Sequence, residues 1–165
     1  MNHRKTIVLG IGNPLLQDDR AGLEVVQRLS KMNLPIEVCE LYTVGLDVMD
    51  KLMGYDRAFV VDACKLGHAP GTIIQAGVDD IFTSHSLSNS HAITLGATIK
   101  TGYELFPSEM PSELEILLIE VEKIEEFTRV MTIDVESAVD RAVEIISSKI
   151  INTACSPNIH QAALI

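Results

Sequence analysis

The chain has no tryptophan, and only 4% of its 165 residues are aromatic, too few to build stacking platforms for single-stranded nucleic acid. Basic residues are scarce as well: 13 Lys+Arg stand against 23 Asp+Glu, a formal charge of −10. A field of that sign repels phosphate backbones and anionic lipid, which argues against nucleic acid and membrane surfaces as partners. No apolar run approaches the ~20 residues that cross a bilayer, so no membrane insertion is expected. Cys39, Cys64 and Cys155 are odd in number, widely spaced and without a C-x-x-C pair. They suit neither a disulfide framework nor a cysteine zinc site, and a reducing cytoplasm is the expected compartment. The basic start before Ile7-Val8-Leu9 is followed by too short an apolar stretch for a signal peptide. H-E-x-x-H, G-x-S-x-G and G-x-x-x-x-G-K-[ST] are all missing, so familiar zinc-protease, serine-hydrolase and P-loop chemistry cannot be assigned.

What is present is an ordinary globular composition, with 47% hydrophobic and 22% charged residues, which excludes disorder as the main state. The length fits one domain, able to bury roughly 70% of the surface its unfolded chain exposes. Short β-branched runs alternate with segments of 3.6-residue period. Ile7-Val8-Leu9 precedes Gly22, Val25, Val26 and Leu29 at helical spacing, with Asp18 and Asp19 placed to cap that helix. Ile36 to Cys39 forms a second strand, and Leu46, Met49, Leu52 and Met53 form the face of a second helix. Ala58-Phe59-Val60-Val61 is apolar on both faces, the mark of a buried parallel strand. Thr72-Ile73-Ile74 follows Pro70-Gly71 as another short strand. Ser84 to Ser90 is a polar loop, His91 to Phe106 a helix, Leu114 to Val121 a central strand, and Val135 to Ile146 the core of a last helix. The alternation predicts an α/β fold, a three-layer sandwich whose mostly parallel twisted sheet carries helices on both faces. Residues 1–151 are expected to form that single domain, and residues 152–165 a loosely ordered C-terminal tail.

Three places carry chemistry. The first is Gly10-Ile11-Gly12-Asn13-Pro14-Leu15-Leu16-Gln17-Asp18-Asp19, a strand ending in a glycine turn before a helix. Such a turn suggests a dinucleotide site, with Glu40 where a ribose-binding acid would stand. Against it, Leu15 occupies the third glycine position, and two aspartates lie where a pyrophosphate would need a helix N-terminus. Helix capping is the plain alternative for the aspartates. The second place is Asp62, a carboxylate ending an apolar strand, costly there unless paired, hydrogen-bonded or bound to metal. A structural aspartate bracing a turn is the equal alternative. The third is His91 in Ser88-Asn89-Ser90-His91, with His68 and His85 as competitors that periodicity does not separate from it. His3 and His160 lie in terminal segments, and Cys39 and Cys64 look like small core residues.

Taken in order, Gly10-Ile11-Gly12-Asn13-x-Leu15-x-x-Asp18-Asp19, Val60-Val61-Asp62-Ala63 and Ser90-His91 resemble the hydrogenase maturation endopeptidases, over a stretch from about Thr6 to about Ile150. The resemblance implies an α/β endopeptidase that removes the C-terminal peptide of a nickel–iron hydrogenase large-subunit precursor after nickel insertion. It also implies a metal-binding triad of Asp19, Asp62 and His91 that senses the nickel borne by the substrate, with no nucleotide involved. Glu40 falls where the family has a further acid near the cleft, and Gly10, Gly12 and Asn13 form the structural turn. Many members have glycine where this chain has Arg20, a long cation next to Asp19. Two carboxylates and an imidazole make an O,O,N set suited to Ni²⁺ or Zn²⁺, with coordination positions left open. The residues do not single out a catalytic nucleophile; a metal-activated water with a nearby carboxylate as base is one route. Two other readings stand beside this one: a small nucleotide-binding protein, and a non-proteolytic escort of the precursor, the latter suggested by Arg20.

Overall fold

Eight consecutive buried residues make β3 (Arg57–Cys64) the centre of the molecule. Only a strand flanked on both edges and covered on both faces can bury such a run. In the computed structural model, which describes residues 4–83, 90–122, 124 and 126–154 (81–83, 90–93 and 154 by backbone alone), β3 lies in the middle of a five-stranded sheet. The strands are β1 (Thr6–Ile11), β2 (Glu37–Leu41), β3, β4 (Ile73–Gly77) and β5 (Glu113–Glu120), in the order β2-β1-β3-β5-β4. The first four in that order run parallel and β4 is antiparallel to β5. A mostly parallel sheet was expected; the direction of the Ile73 strand was not legible. Only eight residues separate β3 from β4, fewer than the dozen or more that a parallel crossover takes. The chain therefore turns back through Gly71, at φ +81°, and its N–H donates to Glu120 O at 2.8 Å.

Helices cover both faces. On one side α1 (Ala21–Ser30) and α5 (Ile133–Ala154) pack Val25, Val26, Leu29, Val135, Val139 and Ile146 against Val8, Phe59, Val61 and Leu117. On the other, α2 (Leu46–Leu52) and α4 (Ser90–Leu105) pack Val48, Leu52, Leu95 and Ile99 against Leu9, Val60, Ile116 and Leu118. A short α3 (Val78–Thr83) follows β4. The odd–even split of β-strand residues between the faces is the two-residue period of the pleat. Helix α5 continues to Ala154, inside the segment assigned to a tail; residues 155–165, with Cys155 and His160, lie outside the described residues, as do His3 and residues 84–89, where the expected polar loop with His85 falls.

The ladders end at different heights. β1 pairs with β3 only as far as Gly10 opposite Val61, whereas β5 accompanies β3 through Asp62, Ala63 and Cys64. β3 thus runs two residues past Asp62 instead of ending there. Asp62 sits one residue beyond the last β1–β3 pair, at the carboxyl ends of the parallel strands, where open α/β sheets form their crevice.

Candidate active site

The glycine turn is shaped by close backbone approach. A Cβ on Gly10 would lie 2.2 Å from Gly22 O, and one on Gly12 would lie 2.1 Å from Asp19 O. Both glycines are used internally, to let β1 and the loop touch the start of α1. Asn13 closes the turn: its Oδ1 accepts from Leu15 N at 2.9 Å, and its N–H donates to Asp19 Oδ2 at 3.0 Å. Asp18 and Asp19 do not cap a helix as expected. They lie inside a 3₁₀ turn (Asp18–Arg20) ahead of α1, and the cap positions, Gln17 and Arg20, carry no side-chain cap bond. Asp18 is fully buried and accepts from both Thr132 N–H and Thr132 Oγ1, each at 2.8 Å.

Asp62 follows the pleat onto the α2/α4 face, the face of Val60 and Cys64. It is 2% exposed. Its Oδ1 accepts from Ala63 N at 2.8 Å, while Oδ2 is buried and meets no hydrogen-bond partner among the described residues. Burial pushes this carboxyl from 3.8 up to about 8; the Ala63 N–H pulls the other way, and the negative charge of Asp19 raises it further. The turn and β3 therefore bring Asp19 and Asp62 within electrostatic reach of each other.

His91 lies in the first turn of α4, and its side chain is outside the described residues. The far end of α4 is tied to the start of β5 by Tyr103 Oη donating to Pro111 O at 2.6 Å. The helix packs Leu95 and Ile99 on the Asp62 face of the sheet. Among the described residues no three His, Cys, Asp or Glu side chains form a metal-holding group; Asp19 and Asp62 are a pair. Glu40 is set apart. Its register partner Gly10 is also that of Val61, placing Glu40 on the α1 face, where it accepts from Gln27 Nε2 at 3.0 Å and Tyr42 Oη at 3.2 Å. Arg20 turns to Glu24 and to Arg129 O, at 3.4 and 2.9 Å.

Glu120 is a buried acid that pattern reading passed over, although it too closes an apolar strand. It is 3% exposed, and its carboxylate accepts from Leu66 N and Gly67 N at 2.9 Å, holding the loop that leaves β3. Cys64 Sγ lies 3.5 Å from Glu120 Oε2. Burial, helped by that acid, pushes the Cys64 thiol up, so it stays protonated and is a poor nucleophile. Glu120→Ala is expected to cost about 3 kcal/mol, because buried N–H groups lose their acceptor. Urea unfolding checks this, with a lower midpoint and an unchanged slope.

The HycI sequence profile, described as hydrogenase maturation protease, matches residues 23–149. The chain belongs to the hydrogenase maturation protease family. A Methanocaldococcus jannaschii protein assigned to that family is 31% identical over 160 residues, covering 91% of this chain and 99% of its own. The Escherichia coli hydrogenase 2 maturation protease is 26% identical over 147 residues, covering 85% and 87%. Among solved structures, the E. coli hydrogenase-maturating endopeptidase HybD superposes with a TM-score of 0.75 at 25% identity, over 90% of this chain and 93% of HybD. As a member of the maturation proteases the chain is a hydrolase of peptide bonds. Among the described residues no helix is long and apolar enough to cross a membrane.

Proposed function

We propose that this protease removes the C-terminal peptide of a nickel–iron hydrogenase large-subunit precursor after nickel insertion, and that Asp19, Asp62 and His91 close on the nickel carried by that substrate. The observation that supports it is Asp62 Oδ2, a buried carboxylate oxygen without a partner among the described residues. A carboxyl in that setting holds a proton at neutral pH unless a cation arrives to replace it. Asp19, close enough to raise the Asp62 pKa, adds a second carboxylate to attract a cation. Such a pair suits a checkpoint, in which the substrate's own metal completes the site and seats the scissile segment beside it. The free thiols of Cys39 and Cys64 accord with a reducing cytoplasm.

Two observations weigh against the alternatives. The space above Gly10 and Gly12 is filled by the chain's own backbone, which leaves no cradle for a pyrophosphate. Arg20 is engaged by Glu24 and Arg129 O, so its charge gives no reason to expect an inactive escort. Incubation with nickel-loaded and nickel-free precursor, followed by intact mass, tests the proposal. Loss of the C-terminal peptide from the loaded form alone is expected. Equal cleavage of both forms would remove the sensing role, and binding without cleavage would favour the escort.

A further inference from the structure

Four consecutive residues of the glycine turn divide their bonds unevenly. Gln17 N donates to Glu126 O at 3.0 Å, Asp18 takes both bonds from Thr132, and Arg20 Nη1 donates to Arg129 O at 2.9 Å. Residues 17, 18 and 20 are thus fastened to the segment between β5 and α5. Asp19 bonds instead to Asn13, within its own turn, and is the residue whose charge Asp62 feels. A turn containing two glycines has little stiffness of its own. Among the residues that make these bonds, Asp18 is the one that is fully buried. Thr132 immediately precedes α5, and its carbonyl accepts from Glu136 N at 2.9 Å, so the anchor is the first turn of a 22-residue helix.

We propose that Asp18 and Thr132 are positioning residues that hold Asp19 against Asp62 for the substrate's nickel, an inference that rests on the site described under Proposed function. The physical need is geometric: a carboxylate serves a metal only if its oxygen stays within about 0.5 Å of the productive position. Asp18 is fully buried with each oxygen bonded to Thr132, which leaves Asp19 as the acid of the pair for the site.

Thr132→Val keeps shape and backbone N–H but removes the hydroxyl, leaving Asp18 Oδ2 buried without its partner. Thr132→Ser restores the hydroxyl. Calorimetric titration with Ni²⁺ alone should show affinity about 10-fold weaker in Thr132→Val, as for loss of a group that orients a ligand, and within about 2-fold of wild type in Thr132→Ser. Amide exchange of Asn13, whose N–H donates to Asp19 Oδ2, should quicken in Thr132→Val without any metal. A purely structural bond would lower the unfolding midpoint of Thr132→Val yet leave Ni²⁺ affinity and Asn13 exchange at wild-type values; that result overturns the inference. If wild type binds no Ni²⁺, or Asp62→Asn binds it unchanged, the reading of the site fails. Asn13 exchange then still decides the clasp, with unchanged protection overturning it. Should Thr132→Val not fold, Asp18→Asn, which keeps one acceptor for Thr132 N–H, carries the same two measurements.

Discussion

Asp62→Asn is expected to lose processing of a nickel-loaded precursor by at least about 100-fold while leaving the protein folded and, near pH 8, more stable than wild type. The activity loss exceeds the 10–100-fold typical of removing a group that merely orients a ligand, because the anionic oxygen itself is gone. The stability gain follows from burial. In the folded protein this carboxyl keeps its proton up to about pH 8, whereas its ordinary value is 3.8. Between those values the native state binds a proton that the unfolded chain has released. Stability therefore falls as pH rises through this window, and the contribution of the protonated form is gone above about pH 8. Asparagine never ionises, so its variant lacks that slope. Its Oδ1 can still accept from Ala63 N, and its NH₂ takes the place of Oδ2, which has no partner among the described residues, so packing changes little.

A few kcal/mol of relieved charge burial corresponds to about 5–10 °C for a domain of this size. The variant's midpoint should match wild type near pH 4 and exceed it increasingly toward pH 8. Thermal unfolding across that range, beside precursor cleavage on the same samples, gives both readouts. Full processing by the folded variant would defeat the nickel role. A midpoint difference that stays constant with pH would defeat the buried-proton account.

Gly22→Ala is expected to be severely damaging for a change of one methyl group. A Cβ there would lie 2.3 Å from Ile11 O and 2.4 Å from Val61 O, with Ile11 N at 2.9 Å. All three are backbone atoms of β1 and β3 and cannot rotate away. Alanine's better helix propensity is worth about 1 kcal/mol, and the overlap outweighs it: α1 must retreat from the sheet and carry the Asp18–Arg20 turn with it. The expected cost is about 3 kcal/mol or more, with loss of Ni²⁺ binding as Asp19 withdraws from Asp62. Gly45→Ala is the control. Its φ is −171°, ordinary extended backbone, and a Cβ there meets nothing within 4 Å, so its midpoint should barely move. Equal midpoints for Gly22→Ala and wild type would mean that the helix yields without cost.

The elements that were legible are those whose signal is local. Val60 and Val61 lie in a run apolar on both faces, and such a run can only be a covered central strand. The glycine turn announces a strand meeting a helix, and Asp62 stands out because a carboxylate in an apolar strand needs a reason. Those residues by themselves determined an α/β sandwich and pointed to the crevice. Tertiary structure alone decided how neighbouring acids divide their roles. Asp18 and Asp19 are adjacent and chemically identical, yet one is buried on Thr132, 114 residues away, while the other accepts from Asn13 N and raises the Asp62 carboxyl by its charge. Glu40 went to the opposite face because the register, through Gly10 of β1, sets its side chain on the same face as Val61. The direction of β4 followed from a connection too short to cross the sheet. Periodicity along a chain reports which residues are buried, but the partner that each buried polar group meets is set by segments brought together from far apart in sequence.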